Sequence, residues 1–120
     1  MASSFVEDDP QVRELAVLLL ADLGYSTIEA KDGREALHLL GSESAIALLF
    51  SDVILPGMSG VELAEAARRS YPELKVLFTS GYTRNTAHRW RVAGYELLEK
   101  PYTKAQLAYM LSRALTSENS

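Results

Sequence analysis

Short apolar runs alternate along the chain with longer segments whose apolar residues recur at helical spacing, and polar or glycine-containing breaks separate them. That rhythm predicts β-α units laid around a parallel sheet. The first run is Phe5 and Val6, followed at once by Glu7, Asp8 and Asp9. A helix opens there. Asp9 suits the N-cap and Pro10 the first helical position, while Val12, Leu15, Ala16, Leu19 and Leu23 share a stripe; Gly24 offers a left-handed end. Residues 25–30 predict the second strand, and Asp32-Gly33-Arg34-Glu35 reads as a capping box opening a helix that finishes at Gly41. Residues 45–50 are continuously apolar, as a central strand covered on both faces requires. Ser59 and Glu62 form a second capping box for a helix to about Ser70, where Tyr71-Pro72 stops it. Residues 75–79 predict strand four. Residues 83–93 predict a fourth helix with a sparse stripe of Ala87, Trp90 and Val92. Leu97 and Leu98 mark strand five, and Thr103 with Gln106 caps a last helix carrying Leu107, Met110, Leu111 and Leu115. Five strands and five helices thus fill a single domain over 1–120, with an ordered core of about 5–115 and loose ends at 1–4 and 116–120.

Composition narrows the chemistry. With 48% hydrophobic and 23% charged residues in 120, the chain can bury a core without disulfides or a structural metal, and it has no cysteine to supply either. Thiol catalysis and Cys-ligated zinc are excluded. A net charge of −4 argues against direct contact with nucleic acid, which is held mainly by clustered Lys and Arg. Arg84, Arg89 and Arg91 are the local basic cluster, and a solvated helix face is the better reading of it. The longest apolar run, 15–21, is too short to span a bilayer, and the first residues lack the features of a signal peptide; the expectation is a cytoplasmic protein with no membrane contact.

In an open parallel sheet, ligands bind beyond the carboxyl ends of the strands. The polar residues cluster there in the predicted fold. Glu7, Asp8 and Asp9 follow strand one, Ser51 and Asp52 strand three, Thr79 and Ser80 strand four, and Lys100 strand five. An acidic run by itself is usually a solvated loop, and a lone Lys a surface charge. Together they bring carboxylates, a hydroxyl and an ammonium to one edge. Crowded carboxylates repel unless a cation sits between them, and an all-oxygen site with few protein ligands suits Mg²⁺ better than Ca²⁺. Such a site is built for phosphoryl transfer, with Asp52 as the nucleophile because it follows the most apolar, central strand.

Glu7-Asp8, Asp52 followed by Pro56-Gly57-Met58-Ser59-Gly60, Ser80-Gly81 and Lys100-Pro101, in that order and spacing, resemble the signature of response-regulator receiver domains over nearly the whole chain. The resemblance implies a flavodoxin-like three-layer α/β sandwich with a five-stranded parallel sheet of order 2-1-3-4-5. It implies that Asp52 takes a phosphoryl group from a phosphohistidine on a histidine kinase or histidine phosphotransfer protein, in a two-component phosphorelay. Asp8, Asp52 and the backbone carbonyl of Ile54 would bind Mg²⁺ with help from Glu7, and Ser80 and Lys100 would contact the phosphoryl oxygens. Ser80 is favoured over Thr79 because the small Gly81 follows it. The stretches 76–82 and 97–102 look most like receivers attached to hybrid sensor histidine kinases. A cis bond before Pro101 fits the family. Two departures stand out: Leu97 occupies the place of the family's aromatic switch residue, and Ser3-Ser4 stand where an apolar lead-in is usual. A phosphatase working through an aspartyl-phosphate on a related fold would want an acid two residues after Asp52, where Ile54 stands.

Overall fold

The apolar runs fold as strands because each can bury both faces of its pleat between helices. A computed structural model describes residues 2–42, 46–81, 91–92 and 94–116. In chain order they form β1 (Ala2–Val6), α1 (Pro10–Asp22), β2 (Ser26–Ala30), α2 (Gly33–Ser42), β3 (Ile46–Asp52), α3 (Gly60–Ser70), β4 (Lys75–Ser80), β5 (Arg91–Val92), β6 (Tyr95–Glu99) and α4 (Lys104–Thr116). The sheet order is β2-β1-β3-β4-β6-β5. All pairings are parallel except β5 with β6. The expected order 2-1-3-4-5 is therefore present, with the expected fifth strand being β6. The addition is β5, whose Arg91 and Val92 pair antiparallel with Glu96 and Tyr95. Those two residues were expected to end a helix over 83–93; the rest of that segment lies outside the described residues, and the described ones hold four helices rather than five.

Period-two alternation along the strands divides the core into two layers. Val6, Leu49, Val76, Phe78 and Leu97 meet Ala36, Leu40, Leu63 and Ala67 of α2 and α3 on one face. Phe5, Leu48, Phe50, Leu77 and Leu98 meet Ala16, Leu20, Leu107 and Leu111 of α1 and α4 on the other. This is the three-layer sandwich.

Helix starts fix the loops at the carboxyl end of the sheet. The Asp9 side chain accepts from the N–H groups of Gln11 and Val12 at the start of α1. Ser59 and Glu62 make the reciprocal capping box of α3, and Thr103 and Gln106 exchange the same pair of bonds at α4. At α2 the box is displaced by one residue: Asp32 accepts from Glu35 N–H, but Glu35 accepts from Lys31 N–H.

β1 departs most from expectation. It begins at Ala2, not Phe5, and Ser3 and Ser4 are completely buried, whereas residues 1–4 were expected to be loose. Pairing with β2 and β3 on both sides draws the serines in. Ser3 Oγ lies 3.4 Å from both Ser26 O and Thr27 Oγ1. Ser4 Oγ has no hydrogen-bond partner among the described residues. A buried hydroxyl that forms no bond has lost its water for nothing, so Ser4→Ala should stabilise the fold by about 1 kcal/mol. The check is the urea midpoint, which should rise; a fall would mean that the hydroxyl is satisfied.

Candidate functional site

The site forms where β1, β3, β4 and β6 end. The last residues of β3, β4 and β6 are polar, yet the sheet continues through them. β3 runs to Asp52 and β4 to Ser80, each past the last apolar residue, because Asp52 is in register with Thr79 and Ser80 with Glu99. Beyond the strands, Glu7 N–H bonds Ala30 O, Val53 N–H bonds Thr79 O and Lys100 N–H bonds Ser80 O, each at 2.9–3.0 Å. The backbone is thus held rigidly up to the residues that carry the charges.

Glu7, Asp8 and Asp52 come together, each offering a carboxylate oxygen within 4.8 Å of the others'. Glu7 and Asp52 are buried and Asp8 is exposed, so the cluster opens to solvent on one side. Lys100 Nζ reaches between them and donates to Glu7 Oε1 and Asp52 Oδ2, both at 2.7 Å. Burial works to lower the Lys100 pKa, but the hydrogen bonds and charges of Asp52 and Glu7 together outweigh it and raise the ammonium above its ordinary value. The peptide bond from Lys100 to Pro101 is cis, in keeping with the sequence reading. Three carboxylates less one ammonium leave a formal charge of −2 in one partly buried cluster, which a hard divalent cation on oxygen ligands would neutralise.

The two hydroxyls at the end of β4 have different surroundings. Thr79 is fully buried and its Oγ1 donates to Leu98 O of β6 at 2.7 Å. That hydroxyl is committed to the fold, while Ser80, the residue favoured from sequence, is 8% exposed. Ile54 lies in the loop after β3 with its side chain 67% exposed. Gly60, the first residue of α3, packs on the Asp52 backbone so tightly that an added Cβ would sit 2.2 Å from Asp52 O. Gly81 has ordinary room, 3.7 Å from the Lys100 side chain.

Three features were not read from the sequence. The Lys100 ammonium bridges two carboxylates at once rather than aiming at Asp52 alone. Tyr102 packs its ring 6.2 Å from Phe50, and burial, followed by the charges of Glu7 and Asp52, pushes its phenol above the ordinary value. Arg13, one helical turn past the acidic run, donates to Glu7 O at 2.8 Å. Its helical spacing from Asp9 was the available signal. Leu97, in the place of an aromatic switch, is buried in the core, while Tyr95 on the same face of β6 stands edge-on to Phe78 and accepts from Arg68 Nη1 at 3.2 Å.

Residues 4–112 match the family model described as the response regulator receiver domain. The chain is 34% identical over 119 residues to the sensor kinase CckA of Brucella abortus, covering 95% of this chain and 12% of the kinase. It is 31% identical over 114 residues to the nitrogen assimilation regulatory protein NtrX of Azorhizobium caulinodans, covering 92% of this chain and 25% of the regulator. It therefore spans an eighth to a quarter of the length of those relatives. Among solved structures, the receiver domain of the hybrid histidine kinase CckA superposes with a TM-score of 0.80 at 37% identity, covering 97% of this chain and all of that one. The Thermotoga maritima response regulator TrrA, solved in complex with Mg²⁺-BeF, superposes at 0.79 with 28% identity, covering 95% of this chain and 98% of that one.

Proposed function

The chain belongs to the response regulator receiver domain family, a signalling family of two-component systems, and on that premise we propose that Asp52 is its phosphoacceptor, within one receiver domain over residues 1–120. The donor in this reading is a phosphohistidine on a histidine kinase or histidine phosphotransfer protein, and the similarity to the CckA receiver supports a place in a phosphorelay. A carboxylate oxygen of Asp52 attacks phosphorus, the phosphorus–nitrogen bond breaks, and its electron pair returns to the donor imidazole.

The observation that carries this reading is the Lys100 ammonium at 2.7 Å from both Glu7 and Asp52, inside a cluster that still bears two excess negative charges. Glu7, Asp8, Asp52 and the Ile54 carbonyl would hold Mg²⁺ there, and the ion, when bound, would neutralise charge on the incoming phosphoryl oxygens. Conversion of Asp52 to an acyl phosphate removes the carboxylate charge that faces Lys100. The ammonium then turns to a phosphoryl oxygen while keeping Glu7, and the Ser80 hydroxyl donates to another. Because Lys100 and Ser80 are tied by a backbone hydrogen bond, a shift of either is transmitted along β4 and β6, the route by which the domain would signal through a conformational change. No described helix is long and apolar enough to cross a membrane.

The test is incubation with a small acyl phosphate, followed by intact mass. With Mg²⁺ the chain should gain one phosphoryl group, and with a chelator in its place none. A folded chain that gains nothing with Mg²⁺ would overturn the reading.

A further inference from the structure

The acidic pair sits on a loop, and its geometry has to survive the rearrangement of Lys100. Four contacts hold Glu7. Its N–H donates to Ala30 O at 3.0 Å, and its carboxylate accepts from Lys100 Nζ through Oε1 and from Asp9 N–H through Oε2 at 3.1 Å. Its carbonyl accepts from Arg13 Nη1 at 2.8 Å. Of these, the Lys100 bond is the one whose donor exchanges its other partner, Asp52, for a phosphoryl oxygen in the reading above. Arg13 holds the outer end of the Glu7 peptide from α1, while its Nε lies 3.4 Å from Glu29 Oε1 on β2. The guanidinium side chain is 21% exposed. One planar fork therefore ties the loop between β1 and α1 to the neighbouring strand, with geometry that an ammonium cannot reproduce.

We propose that Arg13 is a positioning residue for the acidic pair: it touches neither metal nor phosphoryl group, but fixes the Glu7-Asp8 backbone so that both carboxylates converge on Asp52. The inference rests on the metal-binding reading above and assigns a further residue to it. It also fixes the sign of an experiment. A cation near the cluster that acted only through its charge would repel Mg²⁺, so removing it would tighten binding. A positioning residue does the reverse: its removal lets the ligands drift and weakens binding.

The experiment is calorimetric titration of the full chain with MgCl₂ for wild type, Arg13→Gln, Arg13→Lys and Asp8→Asn, with amide hydrogen exchange at Asp9 measured in the absence of metal. Arg13→Gln should weaken Mg²⁺ binding about 3- to 10-fold and speed Asp9 exchange at least about threefold, as the Glu7 carboxylate that accepts from that amide loosens. Arg13→Lys should fall between it and the wild type. Tighter binding, or binding within twofold of wild type with Asp9 exchange unchanged, overturns the proposal. If Arg13→Gln does not fold, Arg13→Lys decides by the same sign: weakening of twofold or more supports the proposal, unchanged or tighter binding overturns it. Wild type that binds no Mg²⁺, or Asp8→Asn that binds as wild type, would instead sink the metal site itself, and with it the premise.

Discussion

Asp52→Asn should take up no phosphoryl group from any donor, and it should do so without losing its fold. The amide has nearly the same shape as the carboxylate but lacks the nucleophilic oxygen anion, so the intact mass stays unchanged where the wild type gains one group. The sharper half of the prediction concerns stability. Asp52 is buried beside Glu7 and Asp8, and Lys100 has a second partner in Glu7, so removing the Asp52 charge leaves no buried ion alone. It relieves repulsion instead. Stability without metal should therefore be unchanged or raised by about 1 kcal/mol, the scale of one like-charge contact near water. The measurement is a pair of urea melts at low ionic strength. A mass gain in the variant would place the acceptor elsewhere. A loss of several kcal/mol would mean that the Lys100 bond to Asp52 matters more to the fold than the crowding it relieves.

How much of this was legible in the sequence depends on which forces set each feature. The convergence of Glu7, Asp8, Asp52 and Lys100 follows from strand punctuation, because the residues after parallel strands must share one edge, and local patterning marks where strands stop. Caps were legible for the same reason: Asp9, Ser59 and Thr103 satisfy N–H groups two or three residues away, a local matter. The start of β1 was not. Ser3 and Ser4 carry no apolar signal and are buried only because β2 and β3 flank them, a tertiary override of composition. The polar ends of β3 and β4 were missed likewise, since Ser51, Asp52 and Ser80 belong to the ladder while breaking the apolar run. Nor could spacing reveal that Lys100 spans two carboxylates or that Arg13 reaches back to a carbonyl, because both depend on where long side chains end rather than where their Cα atoms lie.

The largest structural effect belongs to Gly60. Its N–H donates to Val53 O at 2.7 Å, and a Cβ there would fall 2.2 Å from Asp52 O and 3.1 Å from Asp52 C and Val53 Cα. No side chain can swing aside, because everything it meets is backbone. That backbone is itself pinned: Val53 N–H bonds Thr79 O, and Ser59 and Glu62 fix the start of α3 through the reciprocal cap. Gly60→Ala must therefore push α3 away from the end of β3 or bend the strand that carries Asp52, at a cost on the order of 3 kcal/mol. Displacing the Asp52 carboxylate by even 1 Å from its partners should also slow phosphoryl uptake by roughly 100-fold. Gly41→Ala is the control, since it lies in α2 with nothing within 4 Å of the new Cβ, and it should stabilise by about 0.5–1 kcal/mol. Thermal melts of the two variants with the initial rate of mass gain decide the matter. A Gly60→Ala protein as stable and as fast as wild type would show that α3 is free to move off the strand, and the rigid placement of Asp52 could then not be what the glycine provides.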